Sequence, residues 1–512
     1  MSSCVFSGVI IGLEAQLIEV ETDISYGLKR FELVGLPDKA VEESKERIKS
    51  AIKSSNYKPP CSNPERVLVN LAPADIKKEG SLYDLPIALS YLLSSRQILF
   101  DPSKKLFLGE LSLDGRLRPI KGALSFSLLA QKYGFEEIIL PRLNAFEAAL
   151  SIKIKKEFGL KIIGATTLFE VIQHLKGENL IEPFQIKDDF IPETDYQFDI
   201  GWIKGQDFAK RALEIAAAGG HNLLMIGPPG GGKTLLAQAM PTILPDLSPE
   251  EILEVTKIYS IAGLLPKENP IVNKRPFRAP HHTASKVAII GGGNPIKPGE
   301  ITLAHRGVLF LDEFPEFHRD VIESLRQPLE SGEIALLRAN NRITFPARFT
   351  LIAASNPCPC GHLGNPYKEC TCSPSQILKY KRKLSGPIID RIDLTVELPN
   401  VEFKDLIAPE KESLSDKIKE KVKKAREIQK QRLFEDGYLT NAEMNLIQIK
   451  KYCQIDQAGK DFLKKYVDGG ELSARGYHRV LKVARTIADL EESENILLDH
   501  LSEALMYRIR TN

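Results

Sequence analysis

Gly227-Pro-Pro-Gly-Gly-Gly-Lys-Thr234 is the stretch whose reading decides the fold. An apolar run at 223–226 precedes it and reads as a strand, and residues 235–243 follow it as a helix. The turn between them has the spacing G-x-x-x-x-G-K-[ST]. Glycines let the backbone curl so that successive N–H groups of Gly227, Pro228, Pro229, Gly230, Gly231 and Gly232 (the prolines excepted) face phosphate oxygens. The helix N-terminus adds its positive dipole end. Lys233 would reach the β- and γ-phosphates, and the Thr234 hydroxyl would hold Mg2+. The stretch predicts an α/β nucleotide-binding core.

A partner motif lies downstream, Gly307-Val-Leu-Phe-Leu-Asp-Glu313. Four apolar residues ending in two acids describe a buried parallel strand with carboxylates at its C-terminal edge. Asp312 would orient Mg2+ and its waters, and Glu313 would polarise the water that attacks the γ-phosphate. A third apolar run, 349–355, ends at Asn356. Two long insertions interrupt this core. One runs from Arg275-Pro-Phe-Arg-Ala-Pro-His-His-Thr283 to Glu300, through a glycine triplet and prolines with Lys286 and Lys297. The other, 333–345, reads as a hairpin turning at Asn340-Asn341 with Arg338 and Arg342 near its tip. His281 and His282 are adjacent and fit loop or packing roles better than a metal.

With 512 residues, 27% charged and 43% hydrophobic, the chain is long enough for two to four domains. A net charge of +2 neither favours nor excludes nucleic acid, because local patches can be basic while the total cancels. No stretch is long enough to span a membrane and the N-terminus lacks a signal-peptide pattern, so a cytoplasmic protein is expected. Four of the seven cysteines fall within 358–372. Cys358-Pro-Cys360 and Cys370-Thr-Cys372 form two close pairs that suit tetrahedral Zn2+ with no open position, hence a structural site. His362 is a possible substitute for one thiolate.

Residues 1–175 read as an α+β or α/β domain with its own core. Strands are expected within 5–21, 31–34 and 67–71. Helices are expected at 38–52, capped by Asp38, and at 82–93. Residues 176–199 carry prolines and acids without periodicity and read as a linker. The core then occupies 200–400. Residues 401–512 are helical throughout, with helices expected at 414–433, 440–449, 458–467, 474–490 and 498–507. The basic stretch 417–430 fits a solvated helix face.

Several stretches resemble known families. Asn70-Leu-Ala-Pro-Ala-Asp-Ile-Lys-Lys-Glu-Gly-Ser-Leu-Tyr-Asp-Leu-Pro-Ile-Ala-Leu89 and Phe107-Leu-Gly-Glu-Leu-Ser-Leu-Asp-Gly-Arg-Leu-Arg-Pro-Ile120 resemble the Lon-protease-like domain, of the ribosomal S5 domain 2 type. Proteolytic members use a Ser–Lys dyad; its positions align here with Leu82 and Leu124, which cannot attack a carbonyl or carry a proton. Ser81 and Lys121 lie one and three places away. The core resembles AAA+ ATPases. That resemblance implies that Ile203, Gly205 and Gln206 pack on adenine and that Asn356 is the sensor-1 residue. It also implies that Arg391, in Ser385-Gly-Pro-Ile-Ile-Asp-Arg391, is a finger acting on a neighbouring subunit, with a salt bridge to Asp390 or Asp393 as the alternative. An all-α lid would offer Arg475 as the sensor-2 residue, with Arg479 as its rival. In helicase-related rings such insertions line the pore, which makes Lys286, Lys297, Arg338 and Arg342 candidate DNA contacts; each also fits an ordinary solvated charge.

Taken together, R-P-F-R-A-P-H-H-T, G-V-L-F-L-D-E and the Lon-like front resemble the bacterial magnesium-chelatase-like AAA+ proteins of the competence-associated ComM (YifB) group, over nearly the whole chain. The resemblance implies a homo-hexamer using ATP and Mg2+ that acts on single-stranded and branched DNA. Its implied task is branch migration in natural transformation, alongside recombination proteins. A chelatase-like motor remodelling a protein partner and an ATP-dependent protease are the alternatives. One departure is Arg306, where the family usually has Asn.

Overall fold

Alternate residues of the short apolar strands around the glycine loop face opposite ways, and both sides are covered. Leu223 and Met225, Val308 and Phe310, and Ile352 and Ala354 lie in one apolar cluster. Leu224, Leu309, Leu311, Leu351 and Ala353 lie in another. This is the period-2 pleat of a sheet buried on both faces, and it explains why these strands read as unbroken apolar runs. The computed structural model describes residues 2–155, 159–187, 196, 198–266, 268–293, 296–338, 341–366, 368–383, 388–401 and 414–508. The side chains of 337, 338 and 341 are outside that description.

The chain divides into two compact units. The first comprises Met1–Pro192, Ser248–Val272 and Asn294–Lys297; the second comprises Glu193–Leu247, Asn273–Gly293 and Pro298–Asn512.

The first unit is built on a seven-stranded sheet. Its spatial order is Arg30–Val34, Glu65–Ala72, Glu14–Tyr26, Ser3–Ile11, Lys105–Phe107, Glu137–Pro141 and Lys161–Ala165. The long apolar stretch expected within 5–21 is in fact an antiparallel hairpin, with Val5 opposite Val20 and Ile11 opposite Glu14. Helix Lys39–Ser54 starts where Asp38 accepts a hydrogen bond from the Val41 N–H at 2.8 Å. It buries Val41, Ile48 and Ala51 in one cluster together with helix Asp84–Ser94. Helices Ala123–Tyr133 and Ala145–Lys155 fill a second cluster.

A helix from within the 200–400 stretch, Pro249–Ala262, also belongs to this unit. Its start is fixed by a capping box between Ser248 and Glu251, with proline at the first helical position. Ser260 Oγ accepts from the Gly122 N–H at 2.8 Å and bonds the buried Glu147 carboxylate. Burial pushes the Glu147 carboxyl up, against the bonds it accepts from Ser260 and Leu124 N–H.

The second unit carries a five-stranded parallel sheet in the order Phe277–Arg278, Val308–Leu311, Thr350–Ser355, Leu223–Ile226, Leu394–Glu397. The strand before the glycine loop is thus interior, between the central strand that leads to Asn356 and the edge strand Leu394–Glu397. The expected hairpin is present as Glu333–Arg338 paired with Asn341–Pro346; its turn residue Asn340 lies outside the described residues. Helices Leu414–Leu433, Leu446–Tyr452, Gln457–Asp468, Ala474–Leu490 and Leu498–Met506 follow, with no strand of two or more residues among the described residues after 397. No described helix is long and apolar enough to cross a membrane.

Candidate nucleotide site and cysteine centre

The loop at 227–232 leads from strand Leu223–Ile226 into helix Lys233–Ile243. Gly230 (φ 80°) and Gly232 (φ 86°) take left-handed backbone conformations that residues with a Cβ rarely adopt, which is what the turn requires. Lys233 is buried, and its ammonium donates to Gly227 O at 2.7 Å, Pro228 O at 2.9 Å and Asn356 Oδ1 at 3.1 Å. Burial lowers its pKa, opposed by the nearby charges of Asp312 and Glu313. Thr234 Oγ1 donates to Asp312 Oδ2 at 3.0 Å, so the hydroxyl and carboxylate expected at one metal already meet. Residues separated by more than a hundred positions converge here because three adjacent parallel strands end at the same edge.

Asp312 Oδ1 accepts from the Glu313 N–H at 2.9 Å, and Glu313 itself sits at φ 51°. That backbone is unfavourable for a residue with a long side chain and is held by its surroundings. The Glu313 carboxylate is in turn 3.0 Å from His282 Nδ1. The first insertion therefore reaches the site through His282. Its base is tied by Arg278, which bonds both oxygens of Glu300 at 2.6 and 2.8 Å.

Gly205 (φ 61°) and Gln206 (φ 59°) open helix Asp207–Gly219. Gln206 Nε2 donates to Pro399 O at 2.8 Å and to Gly231 O at 3.4 Å, which sets it against the glycine loop. Ile203 is buried nearby in sequence, its carbonyl accepting from Lys210.

Other expected residues stand apart. Arg391 pairs with Glu330 rather than with Asp390 or Asp393, and residues 385–387 of its segment are outside the described residues. Arg475 is exposed and 3.9 Å from Asp390, whereas its rival Arg479 bonds the buried Asp393 at 2.7 Å. Burial would raise the Asp393 carboxyl, but Arg479 and His221 outweigh it and hold the group well below the usual carboxylate range. Lys286, Lys297 and Arg342 are exposed, with Lys286 and Arg342 in the second unit and Lys297 in the first; the Arg338 side chain is outside the described residues. Arg306 takes φ 60° while its backbone N–H bonds Arg348 O at 2.7 Å. Ser81 bonds Glu110, Leu82 packs against an apolar cluster and Leu124 is buried.

The four clustered thiols come together, all sulfurs lying within 4.8 Å of one another. Cys358 is 3.4 Å from Cys360 and 3.7 Å from Cys370, and Cys360 is 3.5 Å from Cys370. A tetrahedron with metal–sulfur bonds of about 2.3 Å has edges of about 3.8 Å, so the donor set fits. Backbone N–H groups of Leu363 and Cys360 donate to the sulfurs of Cys358 and Cys372, which favours thiolates and orients them. His362 is not among the clustered donors. Gly361, at φ 80°, follows Cys360, and a Cβ there would lie 2.8 Å from Pro229 Cδ. The cysteine loop thus packs directly on the glycine loop.

Three family models match the chain: "Subunit ChlI of Mg-chelatase" over residues 20–144, "Magnesium chelatase, subunit ChlI" over 199–406, and "Magnesium chelatase, subunit ChlI C-terminal" over 412–508. The chain is 44% identical to competence protein ComM of Haemophilus influenzae, covering 98% of this chain and 97% of that one. It is 42% identical to YifB of Escherichia coli, covering 99% and 97%. A more distant likeness, 26% identity over 44% of this chain and 24% of the other, is to the DNA replication licensing factor Mcm2 of Drosophila melanogaster. The chain belongs to the ComM/YifB family of magnesium-chelatase-like AAA+ proteins.

Proposed function

We propose that this chain is an ATP-driven motor that moves on DNA as a hexameric ring and promotes branch migration when incoming single-stranded DNA is integrated during natural transformation. The observation that carries the reading is the end-to-end likeness to a protein named for competence, joined to the meeting of Lys233 with Asn356 and of Thr234 with Asp312 at the glycine loop. ATP with Mg2+ supplies the transferable phosphoryl group. Lys233 would exchange its three oxygen partners for phosphate oxygens, Thr234 and Asp312 would hold the cation, and Asn356 and Glu313 would orient and deprotonate the attacking water. Arg391 would complete the site of a neighbouring subunit, and Arg475 or Arg479 would read lid angle.

The reading includes a Lon-like first domain (1–175) without a dyad, a linker (176–199), the core (200–400) and an all-α lid (401–512), in a cytoplasmic protein. Cys358, Cys360, Cys370 and Cys372 would hold a structural Zn2+ that stiffens the loop against Pro229. Lys286, Lys297, Arg338 and Arg342 would contact the threaded strand, with recombination proteins as partners. The magnesium-chelatase models favour a second reading, an ATPase remodelling a protein partner. A branched-DNA unwinding assay separates the two. Strand displacement by the wild type that Lys233→Ala abolishes supports the motor; nucleotide-dependent capture of a protein with no displacement supports the remodeller.

A further inference from the structure

The cysteine centre is followed at once by helix Pro374–Lys383, and this helix has an unusual charge arrangement. Its last five residues are Lys379-Tyr-Lys-Arg-Lys383, and the ten contain no acid. Lys379, Arg382 and Lys383 are spaced i, i+3, i+4 and share one face; Lys381 flanks it, and all four are exposed. Tyr380 alone is buried, its hydroxyl 3.4 Å from Ser355 Oγ. Ser355 Oγ donates to Asn356 O at 2.9 Å, and Asn356 bonds Lys233. The helix therefore presents cations outward and is rooted beside the nucleotide site.

A helix C-terminus favours some positive charge. Crowding four cations into one turn nevertheless sets like charges against each other at i, i+4. Lys383 lies 3.4 Å from Glu316 and Arg382 also interacts within the chain, while Lys379 and Lys381 make no hydrogen bond or ion pair among the described residues. Helix Leu414–Leu433 is the instructive contrast. It interleaves Asp416, Glu420 and Glu427 among its cations and ties Lys419 to Asp246, Lys424 to Glu492 and Arg432 to Asp489. That helix interleaves its cations with its own acids, whereas Pro374–Lys383 carries no acid and leaves Lys379 and Lys381 without an ion pair among the described residues.

We infer that helix Pro374–Lys383 is a nucleic-acid contact that takes the sugar-phosphate backbone of a single strand along the face of Lys379, Arg382 and Lys383, with Lys381 at its flank. The inference rests on the DNA-motor reading and adds a site outside the two insertions. The absence of acids suits a polyanion, and the Tyr380–Ser355–Asn356 contacts give strand binding a direct route to the hydrolysis site.

The test is fluorescence anisotropy of a labelled single-stranded oligonucleotide with the full chain between about 50 and 200 mM salt. It compares wild type, the triple variant Lys379→Gln/Lys381→Gln/Arg382→Gln, the charge-keeping Lys379→Arg/Lys381→Arg/Arg382→Lys, and Lys417→Gln/Lys421→Gln/Lys423→Gln on the other helix. Losing three phosphate contacts should flatten the salt slope by about 2 and weaken binding up to about a hundred-fold near 0.1 M salt. The charge-keeping and 417/421/423 variants should bind like wild type. Melting temperature and light scattering accompany each variant. Equal loss in both neutralised helices would mean net charge alone and overturn the inference. So would wild-type binding by the 379/381/382 variant, or loss of binding only because the ring no longer assembles, which would make the helix a subunit contact. A wild type that binds no DNA at all would instead bring down the motor reading itself.

Discussion

His282→Ala probes the bond between the first insertion and the hydrolysis site. The His282 ring is 3.0 Å from a Glu313 carboxylate oxygen, and both groups are partly exposed, 29% and 53% at the side chain. A donor on that oxygen occupies the lone pair that would face the attacking water, and it pins Glu313 until something moves the loop. A hydrogen bond to a charged but partly solvated acceptor contributes about 1 kcal/mol once screening is discounted. About 1 kcal/mol is roughly five-fold in a rate or population. ATP turnover by His282→Ala without DNA should therefore rise, by up to about five-fold, through kcat. KM for ATP should stay unchanged, because none of the polar contacts around Lys233 and Thr234 involves His282. His282→Gln keeps a donor and should fall between the two, while Glu313→Gln should abolish turnover in either background. A drop in kcat for His282→Ala would refute the reasoning: the histidine would then hold Glu313 in its working position rather than away from it.

Three further outcomes follow from other parts of the chain. Arg306→Asn should stabilise the protein by about 1 kcal/mol, a rise of about 2–4 °C in Tm for a unit of this size, because asparagine tolerates the left-handed backbone better than arginine. A lower Tm would mean that the arginine side chain contributes more than its backbone costs. Asp393→Ala should cost about 3–5 kcal/mol in urea unfolding by stranding Arg479 and His221. The Asp393 carboxyl is held below its unfolded value, so its contribution is present above the ordinary carboxylate range and lost as pH falls through the folded value; the variant should flatten that part of the acid profile. Purified protein should carry one zinc per chain by mass spectrometry, and Cys370→Ser should lower both zinc content and Tm.

Much of the nucleotide site was legible because its chemistry is local. Glycines that need φ near +80°, an apolar run ended by Asp312 and Glu313, and the run ended by Asn356 each declare themselves within eight residues. Parallel-strand topology does the rest by bringing those ends to one edge. Most of the last hundred residues was equally readable: 414–433 and 474–490 match the observed helices residue for residue, the second capped by Ser473, whereas the helix expected at 440–449 is a short turn at Asn441–Glu443 followed by helix Leu446–Tyr452, which Asn445 caps. What could not be read is long-range pairing. Nothing near Pro249–Ala262 signals that Ser260 meets Glu147, more than a hundred positions earlier, and joins the first unit. Asp393 gave no hint of preferring Arg479 to Arg391, nor Arg391 of choosing Glu330. His282 reads as one of two loop histidines, and only the fold brings it to Glu313. The charge of the run 379–383 is plain in the sequence, but which of its cations meet an acid depends on the fold.

The most direct test of the central claim is steady-state ATP turnover by the full chain with and without a branched DNA substrate, with Lys233→Ala as the blank. The account expects turnover to rise severalfold with branched or single-stranded DNA and to vanish in Lys233→Ala under every condition. ATP turnover that is robust but indifferent to both forms of DNA would contradict it.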